Sequence, residues 1–278
     1  MMFVARNLKA SRVNLIQNDY ASGLPSPLSF LGLADTLIRK LGLEPWNGRA
    51  LPIMHHVAIS KGRTKPEMEP KGGAFTPIET MEDLIGTVEV SILMDLPGCE
   101  SDTEVKRLMA GRRIAGGLIQ NDRIDVEAVT PDGAAFRGLR RGYAMLRPDA
   151  DRPERRRIST GDEETLSSIA HTVFPTEREP GHGWIVPVAA GYRLLEDPET
   201  APKRIRTRDP NIPHVFAEPV LGIAELISVR NKRLTDLSEE GLRERLWSWD
   251  ARGDLVLGHP AYHPETPENA SKETLTHG

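Results

Sequence analysis

The residues with the most chemical potential in this chain are basic ones gathered into three short runs. Arg112 and Arg113 stand just ahead of Gly116 and Gly117 in the segment RRIAGGLI. Adjacent glycines let backbone approach a ligand closely and leave bare N–H groups able to face phosphate, while the guanidiniums supply charge. The same residue types also end a helix, with glycine stopping the chain and arginine favoured by the dipole, and both readings stay open at this point. No Gly-Lys-Ser/Thr follows, so the segment is not a Walker loop, nor is it a dinucleotide fingerprint. The second run spans Arg137 to Arg157, with Arg140 and Arg141 among its arginines and few acids beside them. Charge runs are usually solvated surface, but clustered arginine in a net-negative chain is the local footprint a polyanion site needs. The third is KGRTK, with Lys61, Arg63 and Lys65. An RNA site would also want stacking surfaces, for which Tyr20, Phe136, Tyr143, Trp184 and Tyr192 are candidates.

Groups suited to catalysis are sparse. His55 and His56 occupy adjacent strand positions, so their side chains are expected on opposite faces, which disfavours a metal pair. A lone histidine could act as general base in metal-independent RNA cleavage, but on a strand it is more often a hydrogen-bonded surface residue. Ser159, His171 and His182 lack a nucleophile-elbow context, and no pair of catalytic carboxylates stands out. The expectation is no catalytic centre, no metal site and no cofactor.

The elements that must position these groups are legible in outline. Val13, Leu15 and Gln17 alternate with Asn14, Ile16 and Asn18, a period-two run that predicts a strand. A turn rich in glycine and proline leads to Leu28, Leu31, Ala34, Leu37, Ile38 and Leu41 at helical spacing. Ser26 is placed to cap that helix, Pro27 to occupy its first position and Gly42 to close it. Strands are expected at Leu51–Ser60 and Gly86–Asp95, with a polar, irregular loop at 61–73 between them. A short helix follows at Asp102–Arg113, then a fourth strand within 118–129. Strand, helix, strand, strand, helix, strand is the order of a ferredoxin-like, RRM-like domain, expected to occupy residues 1–150.

Beyond it, Gly142–Leu146 reads as a strand, a short helix is expected to end near Phe174, and Thr176–Gly183 as a linker. Trp184–Leu195 is β-like, with Pro187 pointing to an edge or bulge. A basic loop carries Lys203, Arg204, Arg206 and Arg208. Phe216–Val229 and Leu234–Trp249 read as helical. Residues 151–258 are thus expected to form a β and helical extension packed on the first domain. The Pro-, Glu- and Thr-rich stretch 259–278 is expected to be a disordered tail.

Composition bounds these readings. The 278 residues are 38% hydrophobic and 27% charged, with a net charge of −4 and a single cysteine, Cys99. That describes a globular protein with a real core and no intramolecular disulfide. MMFVARNLKAS lacks the apolar core of a signal peptide, and no apolar run approaches the ~18 residues of a membrane span. A cytoplasmic protein without membrane contact is expected.

Several blocks together carry a resemblance. Ile16-Gln17-Asn18, then Ser26-Pro27 and Phe30-Leu31-Gly32, resembles the opening of the Csy-two family, the Cas-five-type subunits of type I-F CRISPR surveillance complexes. KGRTK at 61–65, VEVSILMDLPG at 88–98 and RRIAGG at 112–117 are similar to that family's basic loop, central strand and glycine-rich loop. GWIVPVAAGY at 183–192 is close to its G-W-[LI]-V-P-x-x-A-G-Y signature. FAEPVLGIAELIS at 216–228 and Leu246-Trp247 are similar to its C-terminal region. The connection after Asn18 is shorter than in the family and the middle, 120–180, more compact, as in a divergent or minimal variant.

The resemblance implies an α+β, RRM-like RAMP protein that is not an enzyme. It would bind the 5′ handle of CRISPR RNA and cap a filament of Cas-seven-type backbone subunits. In such complexes it commonly adjoins a large subunit that reads the PAM of target DNA. Carried over by position, the handle contacts are Gln17, Asn18, Lys61, Arg63, Lys65, Arg112, Arg113, Gly116 and Gly117; charge alone adds Arg140 and Arg141. Two rival classes are an endoribonuclease of CRISPR repeat RNA, using His55 or His56 with Lys61, and an assembly scaffold without RNA contact.

Overall fold

The computed structural model of the protein describes residues 1–18, 21–60, 64–82, 84–147, 173–174, 183–204 and 214–260. In chain order its elements are β1 (Met2–Asn14), α1 (Pro27–Lys40), β2 (Arg49–Ser60), β3 (Thr64–Lys71), β4 (Ala74–Glu82), β5 (Ile85–Asp95), α2 (Asp102–Met109), β6 (Arg113–Ile114), β7 (Gly117–Ile119), β8 (Asp125–Ala128), β9 (Tyr143–Leu146), β10 (Trp184–Leu194), β11 (Ala217–Ser228), α3 (Lys232–Thr235), α4 (Glu239–Arg245), β12 (Trp247–Arg252) and β13 (Leu255–Pro260). A 3₁₀ turn covers Gly133–Phe136. The architecture is α+β: a large antiparallel sheet with few helices.

The strand order is β12-β13-β10-β11-β9-β2-β5-β1-β7-β6, with β8 also on β1. β12 returns to pair with β2 through Trp247 and Ala50. Six strands, β2, β9, β11, β10, β13 and β12, therefore make a closed circuit of pairings. Trp247 is buried at that closure and donates its indole N–H to the Met145 carbonyl of β9 at 2.8 Å. The N-terminal half has the order β8/β7-β1-β5-β2, with α1 between β1 and β2 and α2 after β5.

Local signals explain the best-anticipated elements. Ser26 caps α1 by accepting the Leu28 N–H at 3.2 Å, Pro27 opens the helix, and Gly42 follows its end at φ 70°. The apolar stripe Leu28, Leu31, Ala34, Leu37 and Ile38 is buried, and α1 packs on β2 and β5 and reaches β10, β12 and β13. β5, Leu51–Ser60 within β2 and Gly142–Leu146 around β9 fall where the alternation placed them. Pro187 lies in the part of β10 that pairs only with β11, where its missing N–H costs no ladder bond, and a bulge follows at Ala189–Gly191.

Several expectations are corrected. The first strand is not Val13–Asn18 but Met2–Asn14. It escapes period-two reading because Phe3, Val4 and Ala5 are all buried, and because the register slips at Ala5/Leu8 and Ser11/Val13. The described part of the loop expected at 61–73 is not irregular: β3 and β4 form a two-stranded hairpin turned by Gly72 and Gly73, both at positive φ. A two-stranded ribbon has only edges, so Pro66 and Pro70 are tolerated. Asp102–Arg113 stops as a helix at Met109, and the fourth strand is divided into β7 and β8. Phe216–Val229 is a strand, and Leu234–Trp249 is two short helices followed by β12. Their apolar residues are shared between both faces of a sheet, which imitates a helical stripe. His259 and Pro260 belong to β13, so the last 18 residues, 261–278, are what remains of the expected tail, and they lie outside the described residues. The helix expected to end near Phe174, the linker at 176–182 and the second half of the arginine run, 148–157, also lie outside.

One buried charge organises the C-terminal strands. Glu225 of β11 is fully buried, accepts two hydrogen bonds from Arg233 of α3 at 2.8 and 3.2 Å, and accepts the Gly183 N–H at 2.7 Å. A carboxylate without water needs such partners, and this one ties α3 to the start of β10.

Candidate nucleic-acid interface

Where β1 ends, the chain leaves the sheet and folds back through an isolated bridge between Ile16 and Ser22 before entering α1. The free edge of β10 passes the same place. Gln17 Oε1 accepts the Ala189 N–H at 2.8 Å and Ser26 donates to the Ala189 carbonyl at 3.3 Å, so two side chains satisfy the side of Ala189 that faces away from its β11 partner. Between them opens a cleft of about 350 Å³ whose walls include Asn14, Gln17, Ser26, Ser29, Gly116 and Tyr192. Residues 14–29, 115–116 and 189–192 thus converge, although the sequence separates them by up to 178 positions. Among the described residues no charged side chain lines the cleft.

The glycine loop forms its far wall. Ala115 and Gly116, at φ 45° and 81°, make the two-residue turn between β6 and β7. Arg113 donates to the Gly116 carbonyl at 2.7 Å, which holds a guanidinium at the rim. Arg112 instead donates its Nε–H to the Leu108 carbonyl at 2.8 Å and so closes the end of α2. Gly117 is buried against β1: a Cβ there would sit 2.6 Å from the Ser11 carbonyl oxygen and 2.6 Å from Val13. Of the four residues, Gly116 and Arg113 face the cleft or its rim, while Gly117 and Arg112 serve packing and capping. Arg12, absent from the expected contacts, is the bulge residue opposite Gly117, at φ 57°, exposed and without an ion pair among the described residues. Only pairing register reveals it, since an arginine between Ser11 and Val13 carries no sequence signal.

Asn18 folds inward, accepting the Ala21 N–H at 2.8 Å in a local turn. Lys65 lies on β3, and Lys61, Arg63 and Tyr20 are outside the described residues. Among the aromatic candidates, Phe136 is core, whereas Tyr143, Trp184 and Tyr192 are exposed. Tyr192 alone borders the cleft.

Arg140 and Arg141 belong to a different place, over the middle of β1, β5 and β2. Arg140 pairs with Glu89 at 2.5 Å and Lys9 reaches the same carboxylate at 3.6 Å. The hydrogen bond from Arg140, joined by its charge and that of Lys9, holds the Glu89 carboxyl below the usual range. Next to it, the register slips at His55, and Gly142 lets β9 approach because a Cβ there would meet the His55 ring at 2.6 Å. His55 Nδ1 lies 3.0 Å from the Arg141 carbonyl and Nε2 lies 2.7 Å from Ser91 Oγ, which also accepts the Asn7 N–H at 3.1 Å. One tautomer satisfies all three: Nδ1–H donates to the carbonyl, and Nε2 accepts the Ser91 hydroxyl proton. Burial, reinforced by the Arg140 charge, pushes the imidazole pKa down against the opposing pull of the Arg141 carbonyl and Glu89. The lone pair a general base would need is already engaged. Among the described residues no group of three or more His, Cys, Asp or Glu could hold a metal ion, and no helix is long and apolar enough to cross a membrane.

A family model described as CRISPR-associated protein (Cas_Csy2) matches residues 152–256 of the chain. The matched span includes β10, β11 and β12, the strands that close the circuit and carry the Ala189 edge.

Proposed function

We propose, from the match of residues 152–256 to the Csy-two family of CRISPR-associated proteins, that the chain is a Csy-two-type protein and the non-catalytic, RNA-binding subunit of a type I-F effector complex. In this reading it holds the 5′ handle of the CRISPR RNA and caps the filament of Cas-seven-type subunits, working in the cytoplasm beside other Cas proteins. The order β8/β7-β1-β5-β2 with its two intervening helices supports an RRM-like RAMP core, since it is the split βαβ arrangement.

The observation that carries the RNA reading is the convergence of Gln17, Gly116 and Tyr192 on one cleft with Arg113 at its rim and Arg12 nearby. Hydrogen-bonding groups for a base, an exposed ring for stacking and guanidiniums for phosphates are the three things single-stranded RNA recognition requires. The handle contacts we propose are Gln17, Arg113 and Gly116, joined by Lys61, Arg63 and Lys65; Arg12 is added to them. Asn18, Arg112 and Gly117 act by shaping the loop, and Arg140 and Arg141 are a secondary basic surface.

The test is a titration of the purified protein with a handle-length single-stranded RNA at several salt concentrations, in EDTA. Binding that weakens steeply with salt while the RNA stays intact is expected. Affinity indifferent to salt would sink the phosphate-tracking site, and cleavage of repeat RNA in EDTA would replace it with the nuclease reading.

A further inference from the structure

We propose that the cleft between the end of β1, the start of α1 and β10 receives one unstacked nucleobase and selects bases that present carbonyl oxygens, uracil and guanine, over adenine. This rests on the RNA-binding reading above and adds the class of base.

The argument turns on which polar atoms are already committed. Asn14 Oδ1 accepts the Ile16 N–H at 3.0 Å, and Gln17 Oε1 accepts the Ala189 N–H at 2.8 Å. A backbone N–H can be met only by an oxygen, so both amide orientations are settled and each leaves its NH₂ uncommitted among the described residues. Ser26 is spent, accepting from Leu28 and donating to Ala189. What the described residues of the cleft offer a ligand is therefore two NH₂ donors, the Ser29 and Tyr192 hydroxyls, and no charge. A phosphate or carboxylate finds no cation inside, while a neutral, flat, acceptor-rich group finds donors. At about 350 Å³ the space lies at the small end of ligand sites, suited to one base and not to a stacked pair. Tyr192, 41% exposed, supplies a ring on which that base can stack.

The same commitments discriminate between bases. An Asn or Gln reads adenine by accepting from N6 with its oxygen while donating to N7 with its nitrogen. Here each oxygen already holds a backbone N–H, so that mode would need its second lone pair, and the groups left whole for a ligand are the NH₂ donors of Asn14 and Gln17. Uracil O2 and O4, or guanine O6 and N7, meet donors with acceptors.

The experiment uses the full chain and labelled U8 and A8 RNAs at one salt concentration, read by fluorescence anisotropy. Wild type is expected to prefer U8 by about tenfold. Because A8 also stacks on itself, the deciding quantity is how that ratio changes in Gln17→Glu. The carboxylate keeps an oxygen on the Ala189 N–H and turns the free group from donor to acceptor, so the U8 preference should fall to about one or invert. Added negative charge lowers both affinities and cancels in the ratio. Asn14→Asp, at an exposed position, makes the same exchange and carries the test if Gln17→Glu fails to fold. Equal binding of U8 and A8 by wild type, or an unchanged ratio in the folded variants, overturns the base-selecting cleft and leaves RNA binding standing. Failure of wild type to bind either RNA overturns the reading on which it rests.

Discussion

At the scale of single residues, His55 shows how packing decides what a side chain can do. Its folded pKa lies below the ordinary 6.5, so below that pH the unfolded chain binds more protons than the native one. Stability contributed by this site is therefore present above pH 6.5 and is lost as pH falls toward the folded pKa. Thermal melts at descending pH should show that loss in wild type and a smaller one in His55→Asn; equal pH dependence would remove His55 as its source. Ser91→Ala leaves the half-buried Asn7 N–H and the imidazole nitrogen short of a partner, and should cost about 1–3 kcal/mol in denaturant unfolding.

The glycine loop separates shape from charge at the same scale. Gly117→Val drives a side chain into β1 and should destabilise by roughly 1–3 kcal/mol or more. Arg113→Ala should leave melting nearly unchanged and flatten the slope of log affinity against log salt by roughly 0.7, one phosphate's share for single strands. Arg112→Ala should do the reverse, since Arg112 closes α2. Paired melting curves and titrations check all three, and an Arg113→Ala variant with the wild-type salt slope removes that residue from the interface.

At the scale of elements, the joint between α3, β10 and β11 depends on one ion pair. Arg233 retains some exposure and can turn to water when its partner is lost, whereas Glu225 cannot. Arg233→Ala should therefore cost about 3–5 kcal/mol, and Glu225→Gln less, because the neutral amide tolerates burial better than a stranded carboxylate. A double-mutant cycle measured by urea unfolding tests this asymmetry; equal costs would show that the burial of Glu225 does not govern the joint. The helix α1 has a parallel role, since its cap Ser26 both starts the helix and closes the β10 edge. A single hydroxyl thus couples the N-terminal unit to the C-terminal strands.

At the scale of the whole molecule, the proposed RNA site in a chain of net charge −4 depends on local arrangement. Association should be steeply salt-dependent for single-stranded RNA, with a log–log slope of roughly −2 if Arg12, Arg113 and one lysine each neutralise a phosphate. A slope near zero, measured between 50 and 200 mM salt on the full chain, would assign assembly with Cas partners to surfaces that do not hold RNA.

What the sequence determined by itself is whatever depends on neighbours along the chain: the Ser26-Pro27 start of α1, the alternation of β5, the Pro187 edge and the order of blocks that resembles a family. It also marked Gln17, Arg113, Gly116 and Tyr192, as residue types suited to RNA. Only tertiary structure decided that these four converge, because the convergence is made by β10 returning beside β1 across more than 170 residues, and no local pattern encodes that pairing. The same holds for the corrections. Phe216–Val229 is a strand because β9 and β10 flank it, which overrides a pattern that would suit a helix. Gly117 is a packing residue because β1 passes beside it, and Arg12 is exposed because β1 bulges there. Residue type sets which bonds are possible, and the fold, by committing some of those atoms to backbone and leaving others bare, sets which remain for a ligand.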